Sequence, residues 1–154
     1  MKKVSYIHDF ATWEQGFSYS NKIKVRFSET DMFGHMNNTV PFAYFEESRI
    51  EFFKHIGLMQ DWVQKESATI PIVADLQCDF LNQVFFDDIL DIFVKIESVG
   101  NTSIDLHYLG KKQNGDVCFV GRGTMVQMCK HTGKGVPWTE ETRDRFRQSN
   151  KILS

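Results

Sequence analysis

One short run of the sequence, residues 29–38, holds most of the side chains that could carry out chemistry. It reads Glu-Thr-Asp-Met-Phe-Gly-His-Met-Asn-Asn and leads directly into a stretch with helical periodicity. A helix start presents unpaired backbone N–H groups and a partial positive charge. Asp31, placed beside such donors, could attack a carbonyl carbon or orient a water molecule while the amides stabilise the negative oxygen. The run therefore predicts a site that acts on a carbonyl group.

Each of these residues also has a purely structural interpretation. Asp31 and Gly34 occupy the first and fourth positions of a favourable turn sequence. Asn37 or Asn38 would make a natural N-cap for the helix that follows. His35 could position a substrate by a hydrogen bond, but no second His or Cys lies at metal-ligand spacing from it, so we predict no metal site.

The residues around this run predict the elements that position it. Residues 19–28 alternate apolar and polar side chains, which is the period of a strand with one wet face. Residues 39–56 carry apolar side chains at helical spacing, with Pro41 suited to the first turn and Gly57 suited to end the helix. A shorter helix is predicted at about 60–65.

The second half of the sequence is typical of an antiparallel sheet. One strand is predicted within 70–84, a second over 89–99, and a third through the alternation of Ile104, Leu106 and Tyr108. A type I′ hairpin turn at Asn114-Gly115 would lead into a last strand over 117–130. In that strand, Gly121 and Gly123 indicate a bulge or the close approach of another backbone.

These elements predict a single α+β domain over residues 1–154, with a curved antiparallel sheet of about five strands wrapped around one long central helix. The segment 1–18 is expected to be irregular, with its aromatic side chains docked on the body of the domain. A terminal surface helix is expected at about 139–148.

Composition narrows the classes of function. A formal charge of -2, without a basic arm, argues against nucleic-acid binding. No apolar stretch has the length of a membrane span, and no signal peptide is visible. The three cysteines lack a Cys-x-x-Cys pair, which indicates reduced, inert thiols and a cytoplasmic protein that does not associate with membranes.

Residues 25–49 resemble the hotdog-fold acyl-CoA thioesterases of the 4-hydroxybenzoyl-CoA thioesterase type. Further matches follow in the expected order, so that the resemblance covers about residues 20–145; they lie at 71–74, 86–88 and 121–124. The resemblance implies the hotdog fold, which agrees with the fold class predicted from periodicity. It also implies hydrolysis of an acyl-CoA substrate, with no cofactor beyond the coenzyme A that the substrate carries.

The family pattern implies a role for particular residues. Asp31 matches the catalytic carboxylate, which acts either as a nucleophile or as a base toward water. The backbone N–H of Asn38 matches the group that polarises the thioester carbonyl. The other positions that we expect to shape the substrate site are Gly34, His35, Asn37 and Pro41. The family also implies a homodimer or homotetramer, with the acyl pocket between subunits.

Some details leave alternatives open. Family members usually carry an aromatic residue where this chain has Pro41, which bears on substrate preference. A related motif occurs in thioesterases that act on acyl-carrier proteins, but Phe33 replaces its middle Asn here. A non-catalytic hotdog module that binds an acyl chain or a partner also fits, whereas the enoyl-CoA hydratase pattern is not matched. Four positive side chains are candidates to hold the CoA nucleotide: Lys111, Lys112, Arg122 and Lys134.

Overall fold

The computed structural model describes residues 2–149, which form the predicted α+β architecture. Its four α-helices are α1 Phe10–Gln15, α2 Val40–His55, α3 Met59–Trp62 and α4 Glu140–Ser149. Its strands are β1 Tyr19–Lys24, β2 Thr69–Val73, β3 Gln77–Phe80, β4 Ile89–Val99, β5 Ser103–Lys112 and β6 Val117–Cys129. The long helix α2 is the one predicted over 39–56, and Gly57 follows it with a φ of 82°.

One antiparallel sheet contains all six of these strands, in the order β1-β4-β5-β6-β2, with β3 also paired to β6. The prediction of about five strands was one short, because residues 70–84 contain two strands rather than one. Both pair with β6, β2 with its second half and β3 with its first half. The chain bends between them at Asp75, whose carboxylate accepts the Thr124 N–H at 2.8 Å.

The inner face of the sheet packs against α2. Phe45 stacks on Tyr108 at a centroid distance of 4.4 Å. A Cβ placed on Gly121 would lie only 2.5 Å from the Phe45 ring, so glycine is required there by close approach. Of the two interpretations of Gly121, the close approach of another backbone is confirmed, because the same Cβ would lie 2.7 Å from the Gln77 carbonyl oxygen. The pairing of β5 with β6 shows no register shift at this residue.

Two local predictions were wrong for identifiable reasons. The first strand ends at Lys24 rather than at residue 28, because residues 27–29 form a 3-10 turn in which the Arg26 N–H donates to the Glu29 carboxylate at 2.8 Å. The β5–β6 connection is not a type I′ turn, since only Gly115 has a positive φ, at 93°. It is a three-residue loop in which the Gly115 N–H donates to the Lys112 carbonyl.

The N-terminal segment, which was expected to be irregular, contains the six-residue helix α1. Its aromatic side chains dock on the outer face of the sheet, as predicted, and Trp13 and Phe17 are 6% exposed. We call residues 2–18 the N-terminal strap. It covers Leu109 and Val120, which point away from α2 and would otherwise face solvent. No helix within residues 2–149 is long and apolar enough to cross a membrane.

A buried polar network holds the N-terminal strap to the sheet. Trp13 donates its indole N–H to His107 Nδ1 at 2.8 Å, and His107 Nε2 lies 3.0 Å from the Asp105 carboxylate. Because an indole nitrogen can only donate, His107 is neutral and carries its proton on Nε2. Lys95 adds a hydrogen bond to the Trp13 carbonyl at 2.7 Å and an ion pair to Glu97 at 3.1 Å.

This network predicts a loss of stability in mild acid. Burial lowers the pKa of His107 below its ordinary value, although Asp105 and Glu97 act in the opposite sense. The unfolded chain then binds this proton first, so the free energy of unfolding is constant above the unfolded value of about 6.5 and falls as the pH drops through it. Urea unfolding between pH 8 and pH 5 measures the slope. His107→Gln should flatten it, and an unchanged slope in that variant would contradict the assignment.

Candidate active site

Residues 29–37 form a small hairpin, which we call the site hairpin. The Asn37 N–H donates to the Glu29 carbonyl at 2.8 Å, and the Asp31 N–H donates to the His35 carbonyl at 2.8 Å. Between these bonds, Thr30 and Met36 form an antiparallel bridge. The predicted turn is confirmed: the Gly34 N–H donates to the Asp31 carbonyl at 3.1 Å, and Gly34 has a φ of 83°, where glycine is favoured.

The Asp31 side chain is fixed by its own turn. Its Oδ1 accepts the Phe33 N–H at 2.8 Å and the His35 N–H at 3.2 Å. No donor within residues 2–149 reaches the other oxygen, Oδ2. Because one oxygen holds the orientation, the second can face a reacting group without rearrangement, which is the preorganisation that catalysis requires.

The site hairpin leads into α2 through a second local motif. Thr39, rather than Asn37 or Asn38, is the N-cap of the helix, so the capping prediction was wrong. The Asn37 carboxamide accepts the Thr39 N–H at 3.0 Å and its hydroxyl at 3.1 Å, so it shapes the turn one step before the helix. The Asn38 N–H donates to no acceptor within the described part of the chain, residues 2–149.

The returning arm of the site hairpin is fastened to the segment between β3 and β4. The Met36 N–H donates to the Val84 carbonyl at 2.7 Å. His35 forms a bridge with Phe85, and the two rings meet edge to face at 5.2 Å. This contact orients the imidazole next to Asp31. The position of the carboxylate therefore depends on residues about 50 positions away in the sequence.

Asp31 and Asn38, which lies two residues before α2, line the same cavity, which has a volume of about 640 Å³. A cavity of this size is typical of small-molecule sites. Three predicted site residues line it, namely Asp31, His35 and Asn38. The remaining walls come from Met36, from the segment 80–84, and from Lys112 and Asp116 at the β5–β6 turn.

The other predicted substrate-binding residues lie nearby but do not line this cavity. Gly34 is exposed at the turn, and Asn37 is the last residue of the site hairpin, where its carboxamide bonds to Thr39. Pro41 is buried in the first turn of α2, where its missing N–H costs no hydrogen bond. The binding roles of these three residues stay predictions.

Of the four positive side chains predicted as candidates to hold the CoA nucleotide, Lys112 alone lines the cavity. Lys112 pairs with Asp88 at 3.2 Å. Lys111 pairs with Glu14 at 2.9 Å, and Arg122 binds Asp105 at 2.6 Å, so both serve the outer face of the sheet. Lys134 is exposed beyond the end of β6.

Sequence reasoning missed part of the cavity wall. Asn82 and Gln83 follow β3, and Asp116 ends the β5–β6 turn. The turn signal at Asn114-Gly115 placed Lys112 and Asp116 together at the end of a hairpin. It contained nothing to show that this end of the hairpin lies beside Asp31, because that proximity arises from the sheet.

The thiols do not contribute to this site. All three cysteines are free. Burial raises the pKa of Cys78 to about 12 and that of Cys118 to about 11, which suits inert thiols. Cys129 differs, because hydrogen bonds from Thr132 and from the His131 N–H lower the pKa of its thiol. Residues 2–149 bring together no cluster of three or more His, Cys, Asp or Glu side chains that could hold a metal ion.

Comparison with known proteins identifies the family. The model of the thioesterase-like superfamily matches residues 25–146. The YsmA protein of Bacillus subtilis (strain 168) is 49% identical over 145 residues, which are 94% of this chain and 96% of that protein.

Solved structures of thioesterases have a similar fold. A thioesterase from Thermus thermophilus, complexed with coenzyme A and Zn, is 28% identical with a TM-score of 0.74, over 89% of this chain and 98% of that one. The DHNA-CoA thioesterase from Staphylococcus aureus is 15% identical with a TM-score of 0.76, over 87% of this chain and 91% of that one, and this likeness shows the fold alone. The chain therefore belongs to the thioesterase-like superfamily and has the hotdog fold.

Proposed function

We propose that this chain is a thioesterase that hydrolyses an acyl-CoA to a free carboxylic acid and CoA. The observation that carries the proposal is the shared cavity of about 640 Å³, which Asp31 and Asn38 line together just before α2. The match to the thioesterase-like superfamily over residues 25–146 supports the class of reaction.

In the proposed reaction the thioester carbonyl oxygen points at the Asn38 N–H. As the carbonyl carbon is attacked, negative charge develops on that oxygen, and one such donor is typically worth about 3 kcal/mol of transition-state stabilisation. Asp31 acts in one of two ways. Either it attacks the carbon and forms an anhydride that water then hydrolyses, or it takes a proton from the attacking water. In both cases the C–S bond breaks, the sulfur leaves as a thiolate that gains a proton, and the acid is released.

The same proposal assigns roles to the surrounding residues. His35, held against Phe85, lies on the wall beside Asp31 and would contact the thioester. Lys112 is the candidate for a CoA phosphate, because it is the one of the four positive side chains that lines the cavity. The coenzyme A in the Thermus thermophilus thioesterase supports a ligand of this kind. The reaction as written needs no further cofactor.

We also propose that the chain works as a homodimer or homotetramer. The edge of the sheet formed by β2 and β3 exposes apolar side chains, with Ile72 at 38%, Val73 at 37% and Phe80 at 44%. An exposed apolar edge strand is a natural site for pairing with another chain. Phe80 also lines the site cavity, so a second copy at this edge would help to enclose the substrate. A cytoplasmic location stays a prediction.

The first test is the variant Asp31→Asn. The amide oxygen of Asn can still accept the Phe33 and His35 N–H groups, so the turn and the fold should persist. We expect the release of free thiol from acyl-CoA substrates to fall by at least roughly 1000-fold, because the charge is lost while the hydrogen bonds remain.

The matched control is Asp116→Asn, which removes a second carboxylate from the same cavity wall. It should retain most of the activity. A panel of short, long and aromatic acyl-CoA thioesters, run beside acyl-carrier-protein thioesters, identifies the substrate. If the wild-type chain hydrolysed none of them, the non-catalytic binding module would be correct. Wild-type rates in Asp31→Asn would refute the mechanism.

A second test uses Gly34→Ala. A Cβ on Gly34 would meet no atom within 4 Å, so the cost comes only from the φ of 83° and should be about 1–2 kcal/mol in the free energy of unfolding. Gly133→Ala is a matched control, since Gly133 has a φ of 69° and equally open surroundings. Urea unfolding should show similar losses in both. Only Gly34→Ala should also lower kcat. Equal kcat values in the two variants would show that the turn at Gly34 does not support the reaction.

A third test measures mass in solution. Light scattering coupled to size exclusion should give the mass of two or four chains. Replacing Val73 by Lys places charge on the exposed edge and should shift the mass toward one chain. A wild-type mass equal to a single chain would contradict the oligomer.

A further inference from the structure

Glu29, at the open end of the site hairpin, makes contacts that the proposed chemistry does not use. Its Oε1 accepts the Tyr44 hydroxyl at 2.9 Å and the Arg26 N–H at 2.8 Å. Its Oε2 lies 3.3 Å from the Arg26 guanidinium. One carboxylate therefore joins three parts of the structure: the 3-10 turn, the site hairpin and helix α2.

Glu29 also holds both arms of the site hairpin. Its carbonyl accepts the Asn37 N–H at 2.8 Å, which closes the hairpin ladder at the end opposite the turn. Asp31 follows Glu29 by two residues on one arm. Asn38 follows Asn37 directly on the other. A shift of Glu29 would therefore move the Asp31 carboxylate and the Asn38 amide relative to each other.

Tyr44 supplies the rigid end of this contact. It lies one turn into α2, is 3% exposed, and belongs to the main hydrophobic core. A ring packed in the core has a fixed hydroxyl position. Burial and the bond to Glu29 raise the pKa of Tyr44, so its hydroxyl remains a donor at neutral pH.

The Glu29 carboxylate is ionised, which suits its role as the acceptor for the Tyr44 hydroxyl. Burial acts to raise the pKa of Glu29, but the hydrogen bonds from Arg26 and Tyr44 outweigh it and hold this pKa below its usual value. Glu29 is therefore ionised at neutral pH and accepts both bonds. A charged acceptor makes each hydrogen bond stronger than a neutral one would.

We infer that Glu29 and Tyr44 are a positioning pair, which fixes the Asp31 carboxylate relative to the Asn38 N–H by tying the site hairpin to the core of α2. The inference rests on the proposed function for its catalytic consequence. Neither residue reacts with the substrate. They act through the geometry of Asp31, where a displacement of about 1 Å can cost a factor of roughly 100 in rate.

The central test compares Tyr44→Phe with Tyr108→Phe. Each variant removes one hydroxyl from a buried ring that packs in the same core, and the Tyr108 hydroxyl accepts a hydrogen bond from Arg49 rather than from any site residue. Tyr44→Phe should lower kcat roughly 10- to 100-fold and leave KM within about twofold. Tyr108→Phe should lose stability but keep kcat near the wild-type value.

Two variants of the acceptor, Glu29, test whether a conservative replacement restores activity. Glu29→Ala removes both hydrogen bonds at Oε1 and should reduce kcat as far as Tyr44→Phe does. Glu29→Gln retains an oxygen that can accept from Tyr44 and from the Arg26 N–H, so it should recover most of the kcat that Glu29→Ala loses. Equal losses in the Ala and Gln variants would overturn the inference, because charge rather than position would then matter.

A readout independent of activity is amide hydrogen exchange at Phe33 and His35, which donate to the Asp31 carboxylate, and at Asn37, which donates to the Glu29 carbonyl. Exchange at these amides should accelerate in Tyr44→Phe and not in Tyr108→Phe. Unchanged exchange together with unchanged kcat in Tyr44→Phe would refute the positioning pair. If exchange accelerated in Tyr44→Phe but the wild-type chain hydrolysed no thioester, the proposed function would be refuted and the pair would still be supported.

Discussion

The packing of Phe45 into the sheet is the contact on which the rest of the structure depends. Its ring lies against Gly121, at a distance that admits no Cβ, and stacks on Tyr108 of the neighbouring strand. Through this side chain α2 contacts β5 and β6 near the middle of the sheet. The start of the helix, and with it Asn38, is therefore set at a fixed place beside the edge of the sheet. The cavity exists because of that placement.

Two loops of the same kind meet at this cavity. The site hairpin and the β5–β6 turn are both three-residue loops in which a glycine with a positive φ, Gly34 or Gly115, closes the turn. One brings Asp31 to the wall and the other brings Lys112 and Asp116. Such loops hold their flanking residues firmly, since the strands on either side are hydrogen-bonded. The polar groups of the cavity are therefore held by short, rigid connections.

The outer face of the sheet is organised differently from the inner face. The N-terminal strap covers it through Trp13 and Phe17, and a neutral, buried His107 links the strap to Asp105. Burying an imidazole and a lysine together is costly unless they are hydrogen-bonded, and here both are. The stability of the outer face is therefore expected to depend on pH. The residues of this network do not line the cavity.

The sequence by itself predicted the long helix, most of the strands and the turn that carries Asp31. Helical spacing over 39–56 and alternation in β4 and β5 are local patterns, because a buried face repeats with the period of its own element. The turn at Asp31 and the close approach at Gly121 were equally readable, since each needs a particular residue at one position. The helix in the N-terminal strap and the N-cap at Thr39 were not, because short elements are decided by the surfaces they dock against.

Only the tertiary structure decided which residues meet at the site. Lys112 and Asp116 come from the β5–β6 turn and Asn82 from the segment after β3, and nothing in their local sequence relates them to Asp31. The bond between Tyr44 and Glu29 likewise joins residues 15 positions apart that the hairpin and the helix bring together. Proximity of this kind depends on how strands register and how a helix is seated, and those are properties of the packed core rather than of any single segment.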